Sequence, residues 1–531
     1  MNRTRSIVKQ ASILAIAGIL VRIIGVLYRS PLKALITSEG VGYYSTAYNI
    51  YALILLISSY SIPTAISKLI SEKLVLNQYN NVQKILRCSF IYICAIGGGA
   101  AIVAFFIAPF IVPENAVMAL RVLCPTIFLS GLLGVFRGYF QAHQTTVYTS
   151  VSQIIEQVFN AIVSVGAAYL FIQPYIQVGG TKMASIGAAG SALGTGVGVL
   201  IGLIYMALMY MKRKNNLIVK NDPDNYEDSY KSIFRMILSI VTPIIFATCI
   251  YNLVATVDMY IFYFAMGTGP SASTMYGVYS GEYVVLQNVP VALASAMSTA
   301  SIPAISSSWA IKNYKETKEH IKSGIRLTMM ILIPSAVGMS VLAYPIIGTI
   351  FPQKETVMTS TYLLAIGSPG IVFFGLSTLT NGILQAIGEV NVPLKNAAIA
   401  LIWHCLITFA LLFFTPLGLY SLVIGNCLYG LQVCYLNQKS LRKKVHYKQE
   451  IRRTYILPLL ASIGMGIVVG ICYYGLFALT RKVFIPLIIS IIFGVMVYFV
   501  IIFYLYADHP DELSAIPYAN RIMYKIKKRS H

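Results

Sequence analysis

The sequence predicts an all-α polytopic membrane protein of about 14 transmembrane helices, built as two pseudo-symmetric six-helix lobes with a C-terminal helix pair. Three observations predict it. The chain of 531 residues is 57% hydrophobic but only 11% charged, against about 25% charged in soluble domains. Its basic residues gather in alternate connections, and its two halves repeat short motifs at a nearly constant offset. A membrane-crossing helix needs about 20 apolar residues, so about 14 helices of about 22 residues would use a share of the chain close to its apolar fraction. This composition excludes a soluble multidomain enzyme, a disordered chain, a secreted disulfide scaffold and a single-span receptor.

Taken in order, the apolar runs fall at 11–35, 43–69, 88–112, 117–140, 147–172 and 183–211. They continue at 233–266, 274–305, 325–351, 358–386, 393–414 and 417–437, and end with 454–479 and 483–507. Each is long enough to cross about 30 Å of hydrocarbon at 1.5 Å per residue, and the longer ones permit tilt. The first run contains Arg22 and lacks a small-residue cleavage site, so it is expected to remain as a span and not be removed as a signal peptide. Two polar breaks interrupt the series. The first, 212–232, opens with Lys212, Arg213 and Lys214 and continues with Asp222, Asp224, Glu227 and Asp228; it reads as a charged cytoplasmic linker. The second, 438–453, is strongly basic. The expected domains are a six-helix lobe over 1–211, the linker 212–232, a second six-helix lobe over 233–437, and a basic loop, two extra helices and a cytoplasmic tail over 438–531.

Forty Lys and Arg against 18 Asp and Glu give a net charge of +22, which in a soluble protein would suggest nucleic acid. The placement of the charge argues otherwise. Thirty-two basic residues, Arg137 among them, fall at the two ends and in alternate connections. Six (Lys33, Arg121, Lys182, Lys354, Arg481 and Lys482) fall in the intervening connections, and Arg22 and Arg29 lie inside the first run. The positive-inside rule then places both termini in the cytoplasm, requires an even number of spans and leaves no nucleic-acid partner. The eight cysteines are scattered through apolar segments without a CxxC pair or a neighbouring His at ligand spacing, so they read as small core residues and no metal is expected.

The repeat divides the first twelve runs into six plus six. "SIPTAIS" (Ser61 to Ser67) matches "SIPAISS" (Ser301 to Ser307) with Pro63 and Pro303 240 residues apart. "FRGYFQA" (Phe136 to Ala142) matches "TNGILQA" (Thr380 to Ala386) at 244, as do Pro125 and Pro369. Each half has an even number of spans, so the halves are expected to be parallel repeats with a cavity between them. The paired prolines are candidate bends for a rocking motion, and equally packing kinks.

No phosphate loop, HExxH or GxSxG signature is present. The informative residues are ionisable groups at membrane depth, where a charge must face protein or water. Arg22 and Arg29 are seven positions apart, about 20° from one face of a helix, and Gly18 and Gly25 share that face. Guanidinium forks bind phosphate oxygens in pairs and keep their charge, so this stripe suits an anionic diphosphate headgroup. Arg29 also fits snorkelling to the outer interface. Glu156, Asp258 and Glu282 complement them, either as binders of substrate, a cation or a proton, or as ion-pair partners of Arg22 or Arg29 that fix packing. His404 reads as a hydrogen-bonded core residue. Tyr44, Tyr48 and Tyr51 recur on one face with Asn49 beside them; they suit either an interfacial aromatic belt, the simpler reading, or stacking on sugar rings. Gly190, Gly194, Gly198 and Gly202 form a packing ladder.

The chain as a whole resembles the multidrug, oligosaccharidyl-lipid and polysaccharide exporter superfamily. Within it, the opening "GILVRIIGVLYRSPLKALITSEGVGYYSTAYNIYALILLISSYSIPTAISKLIS" (Gly18 to Ser71) is similar to the branch holding bacterial lipid II flippases and the stage V sporulation protein B group. The resemblance implies transport, without ATP, of an undecaprenyl-diphosphate-linked disaccharide-peptide between leaflets of the bacterial cell membrane for peptidoglycan synthesis, by alternating access. Its cavity arginines of the first span match Arg22 and, with a one-residue shift, Arg29. Further family arginines in the second and eighth spans have no counterpart here beyond Lys68. An acid on the seventh helix that binds sodium in some members resembles Asp258, while the eleventh span offers Asn396 and no acid.

The expected function is therefore a flippase, not an enzyme, with Arg22, Arg29, Glu156 and Glu282 as substrate-binding residues and Asp258 as a coupling site for Na+ or H+ in place of any cofactor. Its partners would be a polyprenyl-diphosphate-linked saccharide, membrane lipids and cell-wall synthesis proteins. Three alternatives stand beside it: a flippase for another lipid-linked polysaccharide unit, a cation-coupled multidrug exporter, and a non-transporting scaffold for cell-wall enzymes.

Overall fold

The computed structural model describes residues 2–218 and 227–506. Asp222 and Asp224 of the linker and the basic tail from Arg521 to Arg529 lie outside the described residues. All regular structure among the described residues is helical. The chain forms two compact units, 1–281 with 408–419 and 282–407 with 420–531. These are divisions of packing, whereas the six-plus-six division above is one of sequence repetition.

The first unit contains α1 (Asn2–Leu55), α2 (Ile62–Val75), α3 (Tyr79–Tyr92), α4 (Gly98–Ile111), α5 (Glu114–Ala142), α6 (Val147–Ile172), α7 (Gly180–Ile218), α8 (Tyr230–Met266) and α9 (Pro270–Val278). The second contains α10 (Val284–Ala310), α11 (Tyr314–Val341), α12 (Ala343–Ile350), α13 (Val357–Gly367) and α14 (Pro369–Ala386). It also holds most of α15 (Asn391–Phe414), then α16 (Tyr420–Val445), α17 (Leu457–Thr480) and α18 (Phe484–Leu505).

Eleven helices among the described residues are long and apolar enough to cross a membrane, twelve if α13 and α14, bent by 49°, form one broken span. A count of about 14 is not reached on length and apolarity. Two of the differences have visible causes. The first two runs are joined in α1, and the run 417–437 falls on α16, where Asn426, Gln432 and Asn437 dilute the apolar content. At 54 residues α1 would extend about 80 Å, more than twice the hydrocarbon thickness. It is broken at Thr37, whose φ of 65° and ψ of 173° leave the helical region.

The repeat read from the sequence reappears in the packing of each unit. A β-carbon on Gly138 of α5 would lie 2.7 Å from the Pro63 carbonyl oxygen of α2, and one on Gly382 of α14 would lie 2.1 Å from Ser298 Oγ of α10. Likewise Gly131 abuts Ile93, and Gly375 abuts Leu332. Equivalent glycines thus admit equivalent helices, as expected where lipid tails are as apolar as the side chains and close backbone approach drives association. On α7, β-carbons at Gly194 and Gly198 would fall 2.4 Å from Ser164 N and 2.5 Å from Glu156 O, so the glycine ladder seats α7 directly on α6.

The last two helices form a pair on α11. Tyr498 donates to the Met330 carbonyl at 2.9 Å, and Met465, Val469, Tyr473 and Ile502 pack beside it. Below them Glu450 gathers Arg326, Lys322 and Arg453 around one carboxylate. In the first unit, Lys73 pairs with Asp228 and Lys84 with Glu227 at 2.7 Å, fastening the start of α8 to the α2–α3 corner.

Candidate functional site

The first half of α1 carries Arg22 on its exposed side and Arg29, half-buried, two turns later. Gly25 lies between them, and a β-carbon there would stand 3.4 Å from Gln157 Nε2, so α6 approaches α1 between the two arginines. Arg22 is flanked by exposed Leu20, Ile23 and Leu27. A permanent cation on that surface at membrane depth requires water, an anion or protein dipoles.

After the break at Thr37, the second half of α1 brings the tyrosines back past the same region. Tyr44, Tyr48 and Tyr51 form a column with ring centroids 5.8 and 5.5 Å apart. Tyr44 and Tyr51 are buried, hydrogen-bonded to Thr195 Oγ1 of α7 at 3.1 Å and Ser130 Oγ of α5 at 3.4 Å; Tyr48 remains open. The belt reading is corrected for Tyr44 and Tyr51, whose rings belong to the interior of the unit and not to a lipid interface. Arg29 lies within electrostatic reach of the Tyr44 and Tyr48 hydroxyls, and Glu156 within reach of Tyr48 and Tyr51. Tyr48 is therefore within reach of both a cation and an anion.

Glu156 has a partner that sequence reasoning placed in a cytoplasmic connection. Arg137 lies inside α5, and its Nη2 donates to Glu156 Oε2 at 2.7 Å while its Nε donates to Ser152 Oγ at 3.0 Å. The side chains are 17% and 29% exposed. The residue pairing with Glu156 is thus Arg137, not Arg22 or Arg29. Lys33, also assigned to a connection, is 2% exposed within α1, one turn before the break. Its proximity to the end of the first apolar run hid it.

The remaining acids are placed elsewhere. Asp258 on α8 is 1% exposed and within electrostatic reach of Tyr276, whose hydroxyl accepts from Asn49 Nδ2 at 2.7 Å. Around it, Thr46 and Tyr263 hydroxyls meet at 3.0 Å, tying the second half of α1 to α8. Glu282 belongs to the second unit, in the π-helical turn Tyr279–Tyr283, and is likewise 1% exposed. Ser360 Oγ donates to its Oε2 at 2.6 Å. Arg22, Arg29 and Glu156 are therefore grouped on α1 and α6 of one unit, Asp258 lies in that unit beside a different polar cluster, and Glu282 lies in the other. His404 is buried with its ring against the Gly425 carbonyl at 3.0 Å, as a core histidine. No cluster of His, Cys, Asp or Glu suited to a metal ion exists among the described residues.

A family described as "Polysaccharide biosynthesis protein" matches residues 7–309, and the MatE family matches 243–410. The chain is similar to the lipid II flippase MurJ of Bacillus subtilis, 26% identical over 493 residues covering 87% of this chain and 88% of that protein. It is also similar to the stage V sporulation protein B of Bacillus subtilis, 23% identical over 404 residues covering 74% and 76%. Among solved structures, a lipid II flippase MurJ in an inward closed conformation shares the fold with a TM-score of 0.70 at 18% identity, covering 93% of this chain and 99% of that one. An outward-facing multidrug resistance transporter of the MATE family follows with 0.60 at 15%, covering 83% and 96%. With a family match over more than half its length and many helices apolar enough to cross a membrane, the chain is a multi-pass membrane protein that belongs to the polysaccharide biosynthesis protein family.

Proposed function

We propose that this protein is a flippase that carries an undecaprenyl-diphosphate-linked cell-wall precursor of the lipid II type from the inner to the outer leaflet of a bacterial cell membrane. The observation that carries the reading is the pair of guanidiniums two turns apart on α1, Arg22 exposed and Arg29 half-buried, on either side of the Gly25 contact with Gln157 of α6. Such a pair favours a phosphate-bearing headgroup and repels the amphipathic cations a multidrug exporter would take. The similarity to a lipid II flippase over nearly the full length of both chains supports the same substrate class.

In this reading the diphosphate bridges Arg22 and Arg29, Tyr48 offers a ring and hydroxyl to the first sugar, and the polyprenyl tail stays in the lipid. Both termini are cytoplasmic, following the basic connections. Asp258, buried beside Tyr276 and Asn49, is the candidate for a coupling Na+ or H+. The cationic face reads the diphosphate and not the sugar, so another lipid-linked saccharide is the second reading, favoured by the match to the polysaccharide biosynthesis protein family. Growth rescue in cells depleted of their own lipid II flippase tests the proposal. The parent should restore growth, and an equally abundant Arg22→Ala variant should not; rescue by both would remove Arg22 from the mechanism.

A further inference from the structure

The internal repeat contains its own control for the Arg137–Glu156 pair. An offset of 244 aligns the end of α5 at Ala142 with the end of α14 at Ala386, and the start of α6 at Val147 with the start of α15 at Asn391. At that offset Arg137 corresponds to Asn381, Ser152 to Asn396 and Glu156 to Ala400. The second half closes this joint with neutral groups: Asn437 Nδ2 donates to Asn381 Oδ1 at 2.7 Å, and Asn396 Nδ2 donates to Asn437 Oδ1 at 2.9 Å. Joining two helices here does not require charge. A half-buried ion pair also carries a desolvation cost that the amides avoid, so the pair in the first half calls for a reason beyond packing.

We propose that Arg137 is a third cationic contact for the diphosphate of a lipid-linked substrate, with Glu156 as its partner until the phosphate replaces the carboxylate. This rests on the flippase reading above. The bonds to Ser152 and Glu156 engage two of the five N–H donors of the guanidinium, and both charged side chains keep part of their surface open. Glu156 and Arg29 both lie within electrostatic reach of Tyr48, and the neighbouring Gln157 packs at Gly25 between Arg22 and Arg29, so the pair lies near their cationic face. A diphosphate has more charge and more acceptor oxygens than one carboxylate and fits the same planar fork. In the unloaded protein Glu156 spares Arg137 the cost of an unpaired charge at depth.

The test is binding of undecaprenyl diphosphate to the purified full-length protein and to Arg137→Gln, Glu156→Gln and the double variant Arg137→Asn with Glu156→Ala. The double variant copies the neutral residues of the second half, which keeps a folded comparison available. Removing the competing carboxylate should tighten binding about threefold in Glu156→Gln. Arg137→Gln and the double variant should each bind about tenfold or more weakly while the double variant keeps the parental thermal midpoint. A purely structural pair gives the opposite pattern, with both single variants weakened alike and the double variant restored, and overturns the proposal. Unchanged binding in all variants overturns it as well. A parent that fails to bind undecaprenyl diphosphate overturns the flippase reading itself, whereas parental binding that ignores Arg137 removes only this inference.

Discussion

Replacing Gly277 by alanine should push α9 off α1 and shift the first unit toward a state open at that end. The β-carbon would lie 1.9 Å from the Ser38 carbonyl oxygen and 2.8 Å from Gly42 N, and Gly42 faces it in turn, its own β-carbon position being 1.9 Å from the Ser273 carbonyl oxygen. Restoring an ordinary carbon–oxygen separation requires α9 to withdraw by roughly 1.4 Å. Overpacking of this kind costs about 1–3 kcal/mol, which corresponds to a population shift of about 5- to 150-fold. The same withdrawal stretches the Asn49 to Tyr276 hydrogen bond of 2.7 Å. Ser273, fully buried at this contact, provides the reporter. In a background lacking the eight native cysteines, Ser273→Cys should react with a water-soluble maleimide about fivefold faster, or more, when Gly277→Ala is added. Gly269→Ala, where nothing lies within 4 Å of the new carbon, should leave the rate alone. Equal rates in all three proteins would refute the close-contact argument.

Two further outcomes follow from single residues. Thr37→Gly should raise the thermal midpoint, because φ 65° with ψ 173° is a region open to glycine; relief of about 1–3 kcal/mol outweighs the about 0.5–1 kcal/mol entropic cost of glycine, and a lowered midpoint would contradict the strain. Burial pushes the Glu450 carboxyl up, but the hydrogen bond and charge of Arg326, with Lys322 and Arg453, outweigh it and hold the group below its ordinary 4.5. A depressed folded value means this contribution to stability is present above about pH 4.5 and lost as pH falls through the folded value. The thermal midpoint should therefore drop on acidification below pH 4.5, and less steeply in Glu450→Gln; identical slopes would disprove the coupling.

Much of the architecture could be read from the sequence because hydropathy reports depth and the repeat reports equivalence. Gly138 and Gly382, matched by motif alone, do pack on matched helices. The common face of Arg22 and Arg29 rests on helical periodicity, seven residues being about 20° short of two full turns. What hydropathy lacks is direction around the helix and length beyond the apolar run. Arg137 was counted with the cytoplasmic charges because it lies five residues before the end of α5, yet the helix carries it against Glu156. The signal that could have found it was present: the repeat pairs Arg137 with Asn381 and Glu156 with Ala400, so one half has charges that the other lacks. Tyr44 and Tyr51 were misjudged for a related reason. Tyrosine at the end of an apolar run fits an interface on composition, and only the break at Thr37 turns those rings toward Thr195 and Ser130. The burial of Glu282 against Ser360 depends on a contact 78 residues away, which no local pattern encodes.

In the proposed function Arg22 holds the diphosphate of a lipid-linked wall precursor while it crosses the membrane. Outer-leaflet exposure of lipid II, measured in cells depleted of their own flippase and supplied with this protein or its Arg22→Ala variant, tests it directly. Exposure should be restored by the parent and lost in an equally inserted variant. Exposure that stays absent with the correctly inserted parent, or that persists undiminished in the variant, would contradict it.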